Sequence, residues 1–564
     1  MKTKLAFAVA LVTITGAWLA TSPGRVSAQT PAAAALAGTV TSQEEGNMEG
    51  VLVNARGAGA NFTTTVVTNA LGKYNFPADH LAPGKYTITI RAAGYDLSAP
   101  TTADVTAGKT ATADLKLQKA KDLTSQLTSL EWVQSFPAMP EEKDLFVHQL
   151  MSCAYCHTYQ RIMKSKHTAE EFLPVIQRML SYYADGTAVS GDGRGRAARI
   201  QEPGREAMEK DPKWGVVPGI PRPQLAAFLA RYNLSGGKTA FAYELKTGPR
   251  PRGQATHVIV TQYDMPTRGT VSHDMDVDSK GVVWYTDESA QILGKFEPKT
   301  AKFTEIPMPA VPAGNMQGTR DVVVDHDDNV WFPMRVPGNG AALTKYEPAT
   351  GKITSVEGAG GQFIALGGDG SIWAGNTRVD PKTMQVTGKF SYNGDSKLPP
   401  GGNSGYHNVV DSKGNPWVAT YRGPGGIIGI DAQTKEVKWF SVPGLLARRG
   451  KMDPKDDKYW FAEYLADKVS MFDERTGQTH RWAVPQYSTP YTSSLPDKNG
   501  YVYAPSNMSE RMYRLDPRTG DLVEYFMPTE FDTKKIAIDP TTSNVVLWMS
   551  NKRTARITKI EPLD

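Results

Sequence analysis

The first part of the chain has apolar residues at every second position, interrupted by turn residues. Between residues 36 and 118 the pattern is clear in Gly50-Val51-Leu52-Val53-Asn54-Ala55 and in Gly84-Lys85-Tyr86-Thr87-Ile88-Thr89-Ile90. Alternation with a period of two is typical of half-buried strands. The sequence therefore predicts a small all-β domain over 36–118.

The periodicity changes from strand to helix after residue 118. Residues 119–140 form a polar linker with a short helical stretch, Leu123–Phe136, and a helical pattern then runs through Glu142–Met151. Thr168-Ala-Glu-Glu171 is a capping box, which predicts that a helix begins there. A last amphipathic helix is predicted at Pro223–Leu234. We place a small all-α domain at 141–236.

From residue 256 onward the chain repeats a strand pattern. Aromatic residues, each predicted to end a strand, recur at intervals of 42 to 47 residues. A four-stranded unit of this length is typical of a propeller blade, so seven aromatic positions predict a seven-bladed β-propeller over 256–564. The positions are Trp284, Trp331, Trp373, Trp417, Trp460, Tyr503 and Trp548.

The ends of the repeat region predict how the ring closes. The last repeat stops at Lys559-Ile-Glu-Pro-Leu-Asp564 and lacks its outermost strand. The segment Thr256-His-Val-Ile-Val-Thr-Gln-Tyr-Asp-Met-Pro266 matches that missing strand. We expect this early strand to complete the final blade, which removes an exposed sheet edge.

The only two cysteines of the chain lie in Cys153-Ala-Tyr-Cys156-His157. The C-x-x-C-H pattern is typical of covalent haem c attachment, in which both thiols form thioethers and the histidine is the proximal iron ligand. The alternatives are a disulfide, a thioredoxin-like pair and half of a zinc site. A zinc site needs four ligands and the chain has no second cysteine pair, whereas a redox pair does not need the histidine. We therefore predict one haem c.

Met179 is the candidate for the distal iron ligand, because it lies on the helix that follows the capping box. A thioether opposite histidine raises the reduction potential relative to two histidines. Methionine also often fills gaps in a core, so a packing role is the alternative. The other candidates for this ligand are Met163, His167 and Met208.

Residues 1–28 have the layout of a secretory signal. Lys2 and Lys4 precede the apolar stretch Leu5–Ala20, and Val26-Ser27-Ala28 fits a cleavage site. The apolar run is short for a membrane span, and an uncleaved anchor is the alternative. We expect a periplasmic or secreted protein with no stable membrane span. Its net charge of +5, or +2 without residues 1–28, is too small and too evenly spread to indicate a nucleic-acid partner.

Two of the three segments resemble known small domains. Leu36-Ala-Gly-Thr-Val-Thr41, Leu81-Ala-Pro-Gly-Lys-Tyr86 and Ala92-Ala-Gly-Tyr95 resemble the carboxypeptidase regulatory-like domain, which implies a prealbumin-like β-sandwich serving as a spacer or interaction module. The C-x-x-C-H motif and the final helix resemble small class I cytochrome c domains. Val175-Ile-Gln-Arg-Met179 is similar to an element that follows the haem motif in some of them. The predicted fold is thus multidomain and mainly β.

The propeller repeat D-x-x-G-x-x-W resembles virginiamycin B lyase and its relatives. It is present in Asp278-Ser-Lys-Gly-Val-Val-Trp284 and Asp411-Ser-Lys-Gly-Asn-Pro-Trp417. The resemblance implies a lyase that uses a metal ion such as Mg²⁺, histidines and a glutamate in the central channel. Glu463 in Trp-Phe-Ala-Glu463 matches that glutamate, although Leu465 stands where the family has a histidine.

The candidate residues of the propeller centre are taken from positions near the innermost strands. His273, Arg320 and Arg449 each lie eleven residues before their tryptophan, whereas His407 lies ten before Trp417 and Tyr406 takes the matching place. Because strand side chains alternate, we expect the first three to face the channel ahead of His407. A histidine beside a carboxylate can bind a metal or act as acid and base, and arginines can hold a carboxylate or phosphate. Further candidates are Asp274, Asp287 and Arg422.

Three functions remain open from the sequence. The first is an exported haem protein that transfers electrons to or from a periplasmic redox partner and binds or oxidises an organic small molecule at its propeller. The second is a metal-dependent lyase or hydrolase with an accessory cytochrome. The third is a non-enzymatic electron carrier or redox sensor. As an enzyme it would thus be an oxidoreductase or a carbon–oxygen lyase.

Overall fold

The computed structural model describes residues 34–563 except 155–156, 185–221 and the short stretches 268, 289, 310, 312–317, 338–339, 404 and 422–423. The predicted signal segment 1–28, Cys156, Met208 and Arg422 therefore lie outside the described residues. Strands dominate the described part of the chain, which confirms the prediction of a mainly β protein. None of the described helices is both long and apolar enough to cross a membrane.

The N-terminal unit is a β-sandwich, as predicted. One sheet is built around β1, which pairs with β2, β5, β9 and β10, and β10 in turn pairs with β7. The other sheet has the order β4-β3-β6-β8. The strands are β1 Ala34–Ser42, β2 Gly46–Asn47, β3 Leu52–Gly57, β4 Phe62–Val67, β5 Lys73–Pro77, β6 Gly84–Arg91, β7 Tyr95–Leu97, β8 Thr101–Val105, β9 Ala111–Thr112 and β10 Leu115–Lys119.

A helical unit follows the sandwich. Its helices are α1 Ser129–Ser135, α2 Pro140–Ala154, α3 Gln160–Met163, α4 Ala169–Ala184 and α5 Arg222–Tyr232, with a 3₁₀ turn at Leu123–Ser125 before them. The predicted capping box is present, because Thr168 N donates to Glu171 and Glu171 N donates to Thr168 Oγ1. The rings of Phe146 and Phe228 stack at 3.9 Å and join α2 to α5. Trp132, in the segment assigned to a polar linker, belongs to the core of this unit.

Seven successive sheets follow and form the blades of the propeller. Blades 1 to 5 each contain four antiparallel strands in chain order, and blade 6 contains three, with a bridge from Pro490 to Ser506 at the place of its inner strand. The strands of blades 1 to 3 are β12 Ser272–Val277, β13 Val283–Asp287, β14 Ile292–Glu297, β15 Lys302–Pro307, β16 Val323–Val324, β17 Val330–Arg335, β18 Ala341–Glu347, β19 Lys352–Ser355, β20 Ile364–Leu366, β21 Ile372–Ala374, β22 Thr377–Asp380 and β23 Gln385–Lys389. Those of blades 4 to 6 are β24 Gly405–Val410, β25 Pro416–Thr420, β26 Gly426–Ile430, β27 Val437–Ser441, β28 Ala447–Asp453, β29 Lys458–Glu463, β30 Lys468–Asp473, β31 Gln478–Ala483, β32 Val502–Ser506, β33 Arg511–Leu515 and β34 Leu522–Phe526.

Blade 7 closes the ring as predicted. It consists of β35 Ile536–Ile538, β36 Leu547–Asn551 and β37 Arg556–Pro562, and β11, Val258–Asp264, pairs with β37 along its whole length. The other edge of β11 pairs with β4 of the sandwich, from Val260 opposite Thr65 to Tyr263 opposite Phe62. The result is one eight-stranded sheet that runs from the propeller into the sandwich. No edge of β11 is left to pair with another chain.

The repeated aromatic residue has a specific partner in most blades. The indole N–H of Trp284 donates to Asp278 at 3.0 Å, and Trp331 and Trp417 make the same bond to an aspartate six residues earlier. Asp278 also accepts from the backbone of its own turn, where Gly281 has a φ of +79° that favours glycine. These contacts explain the D-x-x-G-x-x-W pattern. The prediction that each aromatic ends a strand was wrong: Trp284 is the second residue of β13.

Candidate functional site

The innermost strands of several blades bring charged side chains together at the centre of the propeller. Arg449 of blade 5 donates to both carboxylate oxygens of Asp274 of blade 1 at 2.7 Å, and lies 3.2 Å from Asp321 of blade 2. His273 Nδ1 is 2.7 Å from the backbone oxygen of Arg320. Because a carbonyl oxygen only accepts, Nδ1 of His273 carries the proton. The structure thus brings three predicted residues, His273, Arg320 and Arg449, to one place.

A bulge in the inner strands decides which residues face this centre. The pairing register of β12 shifts between Ser272 and Met275, and β24 and β28 shift at the equivalent place. A bulge breaks strict alternation, so two consecutive residues can turn to the same side. His407 consequently lies in the cluster, with Nε2 3.9 Å from Asp321 Oδ2. Alternation alone is therefore not sufficient to rank His407 behind the other three residues.

Asp321 provides a buried carboxylate that several cations of the cluster contact. It was not among the candidate residues chosen from the sequence. It accepts from the backbone of Ile364 at 2.9 Å and pairs with Lys535 at 3.3 Å. Burial alone would raise the pKa of Asp321, but Lys535 and Arg449 outweigh burial and hold this pKa well below the usual range. The signal was available, because Asp321 has the same distance from Trp331 as Asp274 has from Trp284.

A second buried ion pair supports Arg320. Glu288 lies 2.6 Å from Arg320 Nε and 2.5 Å from Lys552 Nζ, and its side chain is fully buried. Burial alone would raise the pKa of Glu288, but Lys552 and Arg320 lower it far below its usual value. Arg320 also donates to Gln362, which holds the matching position in blade 3. Neither Glu288 nor Lys552 stood out in the sequence, since their pairing joins blades 1 and 7, which are neighbours in the ring but lie at opposite ends of the repeat region.

Burial disfavours the charged forms of three basic side chains at the centre. Burial lowers the pKa of His407, whose Nδ1 is buried without a hydrogen-bond partner. Burial also lowers the pKa of Lys451 to about 8 and that of Lys534 to about 7. Lys534 pairs with Asp532 at 2.6 Å. The centre can therefore accept or release protons near neutral pH.

Tyrosine rings surround Arg448, the neighbour of Arg449. The guanidinium lies over four rings at 4.2 to 5.2 Å and donates to the Tyr421 hydroxyl at 2.8 Å. The Tyr406 and Tyr491 hydroxyls are 2.8 Å apart. Burial would raise the pKa of Tyr406, but Arg448 and then Arg320 outweigh burial and lower it. The four rings belong to Tyr406, Tyr421, Tyr464 and Tyr491.

The structure does not bring Glu463 to this centre. Its buried carboxylate accepts from Arg481 Nε at 2.8 Å and from Ser470 at 2.5 Å. Arg481 also donates to the backbone of Pro443 and Gly444. Through Ser470 and Arg481, Glu463 therefore connects strands within blade 5. It does not face His273 and His407.

The haem motif lies against the propeller. Cys153 is partly buried near the end of α2, and His157 follows with its Nδ1 2.9 Å from the backbone oxygen of Thr158. Because that oxygen must accept, Nδ1 carries the proton and Nε2 keeps its lone pair, which is the state a metal ligand needs. Burial lowers the pKa of His157, which keeps the ring neutral. The described part of the motif therefore fits covalent haem; Cys156 lies outside it.

The candidates for the distal ligand occupy different environments. Met179 lies on α4 and is partly buried, and Met163 at the end of α3 is fully buried. His167 is exposed, with its ring edge-on to Phe172 at 5.4 Å. Within the described residues, no group of three His, Cys, Asp or Glu side chains is placed to hold a metal ion.

The helical unit and the propeller share one apolar core. Tyr464, Tyr491 and Met508 of the propeller pack in the same cluster as Trp132 and Tyr159. Leu130 N donates to Met508 O at 2.8 Å. The tyrosines around Arg448 therefore extend from the propeller centre to the neighbourhood of the haem motif.

Two cavities lie outside the charged centre of the propeller. One of about 380 Å³ is between the sandwich and β11, next to Val66 and Val258, and one of about 370 Å³ is next to Pro249 and Arg511. None of the described residues that line them belongs to the charged centre.

Comparison with known proteins agrees with parts of this architecture. The family model of the carboxypeptidase regulatory-like domain matches residues 35–118, which confirms the prediction for the sandwich. No curated protein matches the chain. Virginiamycin B lyase from Staphylococcus aureus is similar in structure, with a TM-score of 0.44 and 17% identity over 54% of this chain and 99% of the lyase.

Two further solved structures resemble the same part of the chain. A streptogramin B lyase has a TM-score of 0.45 and 15% identity over 55% of this chain and 99% of its own. Hydrazine synthase from Kuenenia stuttgartiensis has a TM-score of 0.41 and 12% identity over 52% of this chain and 96% of its own. The arrangement of seven blades rests on the strand pairing described above.

Proposed function

We propose that this protein is an exported c-type haem protein that transfers electrons between an organic molecule bound at the propeller centre and a redox partner protein in the periplasm. One observation carries the proposal: Cys153 and Ala154 of the C-x-x-C-H segment pack in the apolar core that the helical unit shares with Tyr464 and Tyr491 of the propeller. A cytochrome joined only by a flexible tether would need no such shared core. The proposed fold of the helical unit is that of a small class I cytochrome c.

Each part of the chain has a separate task in this proposal. Haem c bound through Cys153 and Cys156 supplies a one-electron acceptor or donor. His157 holds the iron through Nε2, and Met179 is the proposed distal ligand. The propeller centre binds the substrate, which excludes bulk water from the exchange.

The side chains at the centre favour a small polar or anionic organic substrate. The guanidinium of Arg448 and the tyrosine rings around it provide a cationic group between flat apolar surfaces, while Arg449 is held by Asp274 and Asp321. His407 is the proposed proton acceptor when the substrate is oxidised, because burial lowers the pKa of its ring and so favours the neutral form, which can take up a proton. A proton and an electron can thus leave the substrate by different routes.

A substrate screen at the haem bands tests the proposal. Purified ferric holoprotein is mixed without oxygen with small organic acids, alcohols and phenols, and reduction is followed in the visible spectrum. We expect at least one compound to reduce the haem, and Arg449→Lys to slow this reduction while a small chemical reductant still acts at the wild-type rate. Equal rates for all compounds in both proteins would contradict a substrate site at the centre and favour a simple electron carrier or redox sensor.

A metal-dependent lyase or hydrolase is the second candidate, because buried His407 Nδ1 lacks a partner beside Asp321. A divalent ion such as Mg²⁺ would then bind in the channel. Activity that survives Cys153→Ser but disappears with a chelator would favour this function over haem-linked oxidation.

A further inference from the structure

Several buried polar atoms beside the haem motif have no hydrogen-bond partner. They are Tyr159 Oη, Arg553 Nε, and both Oδ1 and Nδ2 of Asn507. All three side chains are almost completely inaccessible to solvent. A buried polar group without a partner is destabilising, because it has lost its hydrogen bonds to water and gained none from the protein. Such a group beside a cofactor motif calls for a partner that arrives with the cofactor.

Arg553 connects these atoms to the motif from the propeller side. It lies in the turn between β36 and β37 of blade 7, and its NH2 donates to the backbone oxygens of Ala154 and, at 3.0 Å, Asn507. Ala154 is the residue directly after Cys153. NH1 of Arg553 donates to Phe531 O at 3.3 Å, so the guanidinium is held in one orientation while Nε remains unpaired.

The charges around Arg553 leave it able to bind an anion. The carboxylate of Glu510 lies 3.9 Å from Arg553 NH1 and is in closer contact with Arg91. Near His157 the other charged groups are Arg161 and Glu530, and Glu530 accepts from Thr158. Arg553 is thus a buried cation that acts on the surroundings of the proximal ligand.

We propose that Arg553, Asn507 and Tyr159 bind a propionate carboxylate of the haem, so that the propeller completes the haem site. This inference rests on the haem-linked function proposed above. The guanidinium Nε–H, the amide N–H and the phenol O–H are all donors, and an ionised carboxylate can accept all three. A charged hydrogen bond of this kind is stronger than a neutral one, and the carboxylate would satisfy the three unpaired donors together.

The proposal has an electrochemical consequence. Reduction of the iron removes one positive charge from the site. A buried cation and a well-held propionate therefore change the relative stability of the oxidised and reduced states. Removal of the Arg553 charge should lower the midpoint potential. A tenfold change in the equilibrium constant for reduction corresponds to 59 mV for a one-electron couple, and we expect a shift of that order.

The test uses the full-length holoprotein made in a host that attaches haem c. Variants Arg553→Gln, Asn507→Leu and Tyr159→Phe are compared by potentiometric titration at several pH values and by resonance Raman spectroscopy of the propionate bending modes. Arg556→Gln is the matched control, because Arg556 follows in the same hairpin but pairs with Asp264 at 2.7 Å. We expect all three variants to shift a propionate mode, Arg553→Gln to lower the potential, and Arg556→Gln to leave both unchanged.

Three outcomes are distinguishable. If Arg553→Gln lowers the midpoint potential but no variant shifts a propionate mode, the proposed carboxylate site is overturned. Arg553 would then act on the haem only as a charge at a distance. Wild-type spectra and potentials throughout would overturn the inference while the haem-linked function stands. Absence of covalent haem from the wild-type protein would remove the proposed function itself. If Arg553→Gln does not fold, Asn507→Leu and Tyr159→Phe still test the carboxylate site, because wild-type propionate modes in both variants would overturn it.

Discussion

Arg449 NH1 lies 2.7 Å from both carboxylate oxygens of Asp274, although the two residues are 175 positions apart in the chain. The contact crosses the centre of the ring from blade 5 to blade 1. Arg449 also reaches Asp321 of blade 2, so one side chain joins three blades. This relationship determines both the stability of the centre and its chemistry.

Removing Arg449 should destabilise the protein strongly. Arg449→Met leaves Asp274 and Asp321 buried with one cation fewer, and breaking a buried pair from one side typically costs about 3–5 kcal/mol. We expect a decrease of that size in the free energy of unfolding, measured by denaturant titration of the propeller signal.

The control for Arg449 is an exposed ion pair of similar geometry. Lys397 lies 2.7 Å from Glu436, and about half of each side chain is accessible. Exposed pairs contribute about 0–1 kcal/mol, so Lys397→Met should change stability little. Equal losses in the two variants would show that the central pair has no special role.

Covalent haem is the most direct prediction of the C-x-x-C-H motif. Protein made in a host that assembles c-type haem should keep its haem in acidic acetone, because thioether bonds survive denaturation. Cys153→Ser should leave one thioether bond, which shifts the reduced α-band, and His157→Ala should remove the proximal ligand. Release of all haem from the wild-type protein into acetone would contradict the assignment.

Met179 as distal ligand predicts a spectroscopic signature. The ferric protein should show a weak far-red sulfur-to-iron band, and Met179→Ala should abolish it and lower the potential, since the thioether favours the reduced iron. Met163→Ala is the comparison variant, because Met163 is buried at the end of α3. A band that persists in Met179→Ala and disappears in Met163→Ala would move the assignment to Met163.

Lys534 predicts a pH-dependent stability. Its pKa is lowered by burial from 10.5 to about 7, so between these values the unfolded chain binds more protons than the native protein. The free energy of unfolding then rises with pH across this window, by up to about 1.4 kcal/mol per pH unit from this group. In Lys534→Met this part of the increase between pH 7.5 and 9.5 should disappear.

The control for the pH dependence of stability is a variant of an exposed lysine. Lys397→Met should keep the wild-type slope, because Lys397 is exposed. Identical slopes in the wild type and Lys534→Met would mean that Lys534 stays charged throughout, held by Asp532 at 2.6 Å.

Local patterns in the sequence predicted the β-sandwich and the propeller. Alternating apolar residues identified the sandwich over 36–118. The number of blades followed from the number of residues equivalent to Trp284, because each blade repeats the same turn and the same buried ring. Closure of the ring by β11 also followed from the sequence, since a last blade without its outer strand requires a partner. The pairing of β11 with β4 did not follow, because no local pattern specifies which sheet an outer edge meets.

The site was determined only by the tertiary structure. His273, Arg320 and Arg449 could be found from their common distance to a tryptophan, because symmetry places equivalent residues around one axis. The inward turn of His407 depended on a bulge that does not show in residue order, and Glu463 faced Arg481 instead of the channel. Which charges meet, as at Asp274 and Arg449, depends on contacts between blades far apart in sequence. The contact of Arg553 with Ala154 depends on how the helical unit packs on the propeller. The repeating elements follow from local periodicity in the sequence, whereas the three-dimensional packing of those elements brings the charged side chains together at the centre.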